Sequence, residues 1–310
     1  MRYLNLIINR NVLLALSVIL GLILGAENIS WIENLTIPAL AVVMTASIIQ
    51  VKNDVFYPFK NILAPVLFYF LFNFIILGAV NLIPAFFFIK DKSLWTGFVI
   101  MAAAPPGVAI LPFTYILKGD MKYSLRGTMG VYILSIGLTP VSIYIFAGNL
   151  LLSPVKLLII LAELIILPII ISRILIYFKI ADRISKFKGR IVDFGLFVTI
   201  FAVVALNRDY IFENPKIIMT TSLIAFGSIF ILGFLIIIIM KKFIKQKEKR
   251  ISLMLGGTIK NSGFAAATAL ALFGKEAAIP GAVTSIVLVL FLLVLSLFAS
   301  KPQSKLNRFF

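Results

Sequence analysis

Three polar residues stand together inside an apolar stretch that is long enough to cross a membrane. Lys260, Asn261 and Ser262 follow the Gly256–Gly257 pair in the segment LGGTIKNSGFAAATALALFG. Glycines weaken a helix and lipid penalises a charged side chain, so this backbone must be buried in protein or line a wet cavity. An ammonium, an amide and a hydroxyl at the start of a half-helix can bind an anionic group. The pattern therefore predicts a working site at this break.

A second interruption lies 155 positions earlier in the chain. Pro105 and Pro106 remove two backbone donors and push the preceding residue out of the helical region, so this segment is predicted to unwind. Paired interruptions at corresponding positions of two halves point to the binding site of a secondary transporter. We therefore predict that the substrate contacts Pro106, Gly107, Lys260, Asn261 and Ser262.

The composition places these breaks in a membrane. Hydrophobic residues make up 61% of the 310 positions, against about 45–50% in soluble globular chains. The apolar runs are continuous and about 20 residues long, which is the length of a membrane-spanning helix. We predict an all-α membrane protein with ten transmembrane helices, at about 11–26, 32–51, 62–86, 95–117, 124–147, 153–178, 191–207, 217–240, 251–273 and 279–300.

The midpoint of the chain divides the predicted spans equally. Five spans precede Leu150 and five follow it, which predicts two repeats, 1–150 and 151–310. An odd number of spans per repeat turns the second copy upside down relative to the first. The broken spans, four and nine, then occupy matching places in the two repeats.

The net charge of +17 at first suggests nucleic acid as a partner. The basic residues lie instead in short loops between spans, mostly on one side, which predicts a multi-pass protein of the inner (cytoplasmic) membrane with both termini in the cytoplasm. The chain has no cysteine and no histidine, so thiolate chemistry and His/Cys zinc sites are excluded. We predict no cofactor and no metal centre. The predicted partners are the lipid bilayer and a small solute; the oligomeric state is left open, and a monomer is compatible with the sequence.

Further polar residues lie within the predicted spans. Glu163 either faces the cavity, where it would pair with Lys260 or carry a proton, or lies near the outer interface in solvent. Asn73, between two phenylalanines, faces either the site or a neighbouring helix. For Lys260 itself four roles stay open: contact with an anionic substrate, replacement of a cation, uptake and release of a proton, and a purely structural charge.

Short motifs throughout the chain resemble the bile acid:sodium symporter family, within the bile/arsenite/riboflavin transporter superfamily. In the second half these are Asn261-Ser262-Gly263, an alanine-rich helix and Pro280-Gly281. The first half agrees in the segment DVFYPFKNILAPV and in its motifs, which are Pro105…Gly107, Thr114-Tyr115, Lys118-Gly119-Asp120, Ser124, Thr128 and Leu138-Thr139-Pro140. The resemblance runs over nearly the whole chain in register.

The resemblance implies two inverted five-span repeats arranged as two domains. Spans 1, 2, 6 and 7 would form a panel, and spans 3–5 and 8–10 a core in which spans four and nine cross. It also implies secondary transport of a small organic, anionic solute by alternating access. The auxin efflux carrier family shares this plan and is a neighbouring possibility, as is a sodium-coupled symporter with degenerate sites.

The sequence departs from the family where the family binds sodium. Ile110 and Leu111 replace a Ser-Asn pair, Gly256 replaces an acidic residue, and Lys260 replaces a glutamine. Asn73, Ser124 and Thr128 match family sodium-site positions, and we include them with Lys260 and Glu163 as candidate ion-site or coupling residues. Because aliphatic side chains supply no oxygen ligand and an ammonium repels a cation, we expect transport that does not depend on sodium.

Two other classes of function are less compatible with these residues. An intramembrane enzyme would need a nucleophile, a base and usually a metal, and no paired intramembrane carboxylates are visible in the sequence. A membrane receptor or sensor would be favoured by an appended soluble domain, which this sequence does not show. We therefore expect a transporter and not an enzyme.

Overall fold

The computed structural model describes residues 10–25, 30–49, 60–107, 109–148, 159, 162–206 and 208–299. The predicted repeat boundary at Leu150 and several basic residues used for the orientation, such as Arg2, Lys52 and Lys301, lie outside these residues. In chain order the helices are α1 Arg10–Leu24, α2 Glu33–Ile48, α3 Lys60–Phe88, α4 Lys92–Ala103, α5 Ile110–Ile116, α6 Met121–Ala147, α7 Leu167–Tyr177, α8 Ala181–Ser185, α9 Lys188–Leu206, α10 Arg208–Glu213, α11 Pro215–Phe243, α12 Lys247–Thr258, α13 Ser262–Phe273 and α14 Lys275–Ala299.

Long apolar helices dominate this architecture. In the described part of the chain, five are long and apolar enough to cross a membrane: α3, α6, α9, α11 and α14. Helices α1, α2, α7 and α13 are shorter and also apolar. Large apolar side chains such as Phe87 of α3, Phe234 of α11 and Leu290 of α14 are exposed, as lipid contact requires. The all-α membrane class is confirmed, and the count of ten spans stays a prediction.

Spans four and nine are each divided into two helices. Helix α4 begins at the N-cap Asp91, whose carboxylate accepts from the Leu94 N–H at 2.8 Å, and it ends before Pro105 and Pro106. Helix α13 begins at the N-cap Asn261, whose side-chain oxygen accepts from the Phe264 N–H at 3.0 Å. Both interruptions therefore follow from local sequence, by missing donors in one and by side-chain capping in the other.

Helices α3 and α11 each contain a π-helical segment, Phe70–Ile76 and Gly227–Ile231. A π turn accommodates one extra residue and shifts the helical phase, and such turns are frequent at functional sites. The segment in α3 places Asn73 in the interior, where it is fully buried.

The helices pack as two groups. Helix α9 packs against α1 and α2, and α7 packs against α2. In the other group α3 packs against α6, α11 against α12, and α14 against α4 and α13. Contacts of α9 with α13 and α14 join the groups. The predicted site residues Asn261 and Ser262 lie at this junction.

Candidate functional site

The two helix breaks cross and pair with each other. Pro106 and Lys260 form an isolated antiparallel bridge. The Gly107 N–H donates to the Ile259 carbonyl at 2.9 Å, and the Asn261 N–H donates to the Pro105 carbonyl at 2.9 Å. Backbone groups released by the interruptions are thus satisfied by each other, which unwound backbone inside a membrane requires.

Lys260 extends its side chain from this crossing into the protein interior. Its Nζ donates to Asn73 Oδ1 at 3.0 Å and to the Ala104 carbonyl at 2.7 Å. The same nitrogen lies 4.5 Å from the centroid of the Phe74 ring, within the range of a cation–π interaction. The residue is 2% exposed. In the described part of the chain no carboxylate pairs with this ammonium, so neutral dipoles and an aromatic face surround it.

Asn73 connects this ammonium to the helix that precedes the crossing. Its Oδ1 accepts from Lys260, while its Nδ2 donates to the Gly256 carbonyl at 2.9 Å and to the Ile259 carbonyl at 3.4 Å. The Asn73 amide therefore completes the hydrogen bonds of the end of α12, where helical carbonyls lack partners. The structure thus brings two predicted ion-site residues, Asn73 and Lys260, into direct contact.

A small pocket lies on the other side of the crossing, toward α9. Its lining includes Gly107, Asn261, Ser262 and Ser285 from the two broken spans and α14, with Thr199 from α9. Lys260 also lines it, whereas Asn73, Phe74 and Ala104, which hold the Lys260 ammonium, do not. The cavity measures about 40 Å³, which is large enough to hold water.

The polar groups of this pocket are only partly engaged. Ser285 Oγ lies 2.9 Å from Ser262 Oγ and also donates to the Gly281 carbonyl. Asn261 Nδ2 has a weak contact with Met44 Sδ at 3.8 Å. The N-terminus of α13 therefore presents a hydroxyl, an amide and backbone donors to the space beside α9.

Ser124 belongs to a second buried polar cluster, away from Lys260. Its Oγ lies 3.0 Å from the Tyr69 hydroxyl oxygen and 2.9 Å from Thr114 Oγ1. The Tyr69 hydroxyl donates to the Ser252 carbonyl at 2.8 Å. Thr128 Oγ1 is buried and has no hydrogen-bond partner among the residues that the structure describes. Sequence reasoning missed Tyr69, although it lies four residues before Asn73 and so falls on a similar face of α3.

Tyr69→Phe is expected to lower the free energy of unfolding by about 1–2 kcal/mol, because the buried Ser252 carbonyl loses a donor. Tyr144→Phe is the matched control, since Tyr144 is 71% exposed. Unfolding in mixed detergent and sodium dodecyl sulfate compares the two variants. Equal midpoints would show that the Tyr69 hydroxyl stabilises nothing.

Glu163 lies in a different place from the crossing. It is exposed and lines a cleft of about 580 Å³ with Asn34, Pro38 and Ala271, among others. This cleft lies between α2, the start of α7 and the end of α13. The structure does not bring Glu163 and Lys260 together, since the ammonium is held by Asn73 and Ala104.

The fold and site together define a multi-pass membrane protein with a polar crossing of two broken spans, the architecture of a secondary transporter. The family model of the sodium bile acid symporter family matches residues 37–214, and the chain belongs to that family. This stretch contains the first break and ends before Lys260, Asn261 and Ser262.

One curated relative is similar to part of the chain. The "Uncharacterized sodium-dependent transporter YocS" of Bacillus subtilis (strain 168) is 26% identical over 194 residues. The similarity covers 61% of this chain and 59% of that protein.

Proposed function

We propose that this protein is a secondary transporter that moves a small organic anion by alternating access and does not require sodium. The observation that carries the proposal is the Lys260 ammonium, held between Asn73 Oδ1 and the Ala104 carbonyl at the crossing of the two broken spans. Membership of the sodium bile acid symporter family supports the transport class. The sodium-independent part comes from this chain's own residues.

The oxygen atoms at the crossing are not available as ligands for a sodium ion. In secondary transporters, unwound carbonyls coordinate the ion, and here the Ala104, Gly256 and Ile259 carbonyls already accept from Lys260 and Asn73. Gly256 offers no carboxylate. A side chain at this position would have no space, because its Cβ would lie 2.5 Å from the Tyr69 ring. Ile110 and Leu111 are buried and aliphatic.

The pocket beside α9 suits an anionic group. The residues described in its lining carry no carboxylate, and the N-terminus of α13 adds partial positive charge. Leu196, Ile200 and Val289 supply an apolar wall, which matches the carbon skeleton of an organic acid. We assign substrate contact to Gly107, Asn261 and Ser262, keep Pro106 as the backbone bridge partner of Lys260, and give the Lys260 ammonium the cation role.

The sizes of the two cavities support alternating access. About 40 Å³ at the crossing is too small for an organic solute, so the two helix groups must separate to admit one. The cleft of about 580 Å³ beside Glu163 lies between the same groups, and we propose it as the access path. We propose the group of α1, α2, α7 and α9 as the panel and the other group as the core.

The bounds of the helices support two repeats. Helices α3 and α11 begin at Lys60 and Pro215, and α4 and α12 begin at Lys92 and Lys247; each pair is offset by 155 positions. We therefore propose ten spans in two inverted repeats. The basic loops support cytoplasmic termini in an inner membrane.

Uptake into proteoliposomes tests the proposal. The probes are radiolabelled taurocholate, pyruvate, lactate and succinate, each measured with sodium chloride and with choline chloride at equal ionic strength. We expect uptake of at least one anion above empty liposomes, at a rate that changes less than about twofold when choline replaces sodium. Uptake only in sodium would support the alternative of a sodium-coupled symporter, and no uptake of any probe would contradict the substrate class.

A further inference from the structure

Lys260 differs from a bound ion in one respect: it cannot leave. We infer that its ammonium is a permanent replacement for a coupling cation, so that transport is equilibrative and neither a sodium nor a proton gradient drives it. The inference rests on the proposed transport function. It assigns to the protein uniport, or exchange of one solute molecule for another.

All observed polar partners of the ammonium lie on one side of the proposed moving interface. Asn73 and Phe74 belong to α3, and Ala104 belongs to the break after α4; these elements pack in the core group with α6 and α14. Lys260 also lines the small pocket toward α9, but movement of the core against the panel leaves these partners of its ammonium in place. A coupling ion, in contrast, must meet water on one side of the membrane and then on the other.

Among the described residues, no carboxylate contacts the ammonium to accept its proton. From α3, the Tyr69 hydroxyl is engaged with Ser124 of α6 and with the Ser252 carbonyl of α12, and both Nδ2 protons of Asn73 are donated to carbonyls of α12 and its end. Helix α9 carries Asp193, which forms no ion pair with Lys260. Glu163 lies in the separate cleft. A proton released from Nζ would thus meet no carboxylate among the described residues.

Truncation of the Lys260 side chain should remove the fixed cation and leave a site that can bind a free cation. Lys260→Ala removes three methylenes and the ammonium, which together have the size of propylammonium. The Asn73 Oδ1 and Ala104 carbonyl acceptors stay in place in the core. Lys260→Met is the matched control, because methionine fills the space and leaves no room for the amine.

The first measurement is the melting temperature of the full chain in detergent with propylammonium chloride or tetramethylammonium chloride, which has no N–H donor. The melting temperature of Lys260→Ala is expected to rise by about 3 °C or more when propylammonium is present at about ten times its Kd for this variant. The wild type and Lys260→Met are expected to shift equally in the two salts. No specific rise in Lys260→Ala would overturn the resident-cation assignment.

The second measurement is counterflow of the same four anions into proteoliposomes, with a sodium or a proton gradient imposed separately. We expect exchange without any ion gradient and no accumulation above equilibrium with either one. Concentrative uptake driven by either gradient would overturn the inference while leaving the transport function intact. If none of the anions moves, the proposed substrate class fails, and the melting temperatures alone decide for or against the resident cation.

Discussion

Lys260→Met is expected to reduce anion transport at least about tenfold while the protein still folds. The change leaves Asn73 Oδ1 and the Ala104 carbonyl without their donor, and each buried unpaired acceptor costs about 1–3 kcal/mol. Removing a buried charge recovers desolvation energy, which offsets part of that loss. The free energy of unfolding should therefore change little. Transport should fall, because the variant loses the hydrogen bonds that connect α3 with the two helix breaks.

Lys275→Met is the matched control for this variant. Lys275 is exposed at the start of α14, and its removal subtracts the same charge from the protein without touching the crossing. Initial uptake rates, normalised to the amount of reconstituted protein, compare the two variants. Full activity in Lys260→Met would reduce Lys260 to a structural charge without a part in transport.

Gly107→Ala is expected to lower the free energy of unfolding by about 2–4 kcal/mol, through overpacking and a lost hydrogen bond. A Cβ at this position would lie 2.6 Å from Ile259 Cγ2 and 2.8 Å from the Lys260 carbonyl oxygen. Because the Lys260 carbonyl belongs to the backbone, the two unwound segments of the crossing must move apart to admit the Cβ. That movement stretches the 2.9 Å hydrogen bond from Gly107 to Ile259 and misplaces the N-terminus of α13.

Gly137→Ala separates this effect from the general consequence of replacing a glycine. Gly137 lies within α6, and a Cβ there would meet nothing within 4 Å. Alanine in a helix is favoured over glycine by about 0.5–1 kcal/mol, so this variant should unfold at or above the wild-type midpoint. If Gly107→Ala unfolded at the same midpoint as Gly137→Ala, the close approach at the crossing would not limit stability.

Local chemistry made the two breaks predictable from sequence. Two adjacent prolines cannot donate to a helix, and Asn261 is a favoured capping residue, so both interruptions follow from a few neighbouring residues. The matched spacing of the breaks also predicted that they act together. These features depend on short-range geometry, which the sequence states directly.

The partners of Lys260 could not be predicted in the same way. Asn73 lies 187 positions away, and its direction depends on the π-helical segment Phe70–Ile76, which shifts the phase of α3 relative to an ordinary helix. The Ala104 carbonyl has no sequence signature at all. Ser124 matched a family position, yet its contact with Tyr69 depends on Gly127 and Gly256, where a Cβ would collide with that ring.

Equilibrium binding of ²²Na⁺ to the purified protein tests most directly whether Lys260 stands in the place of sodium. Binding is measured against choline, with the wild type and Lys260→Ala side by side. The wild type is predicted to show no saturable sodium binding, since the ammonium occupies the oxygen acceptors of Asn73 and Ala104. Saturable binding of about one sodium ion per wild-type chain would contradict the account.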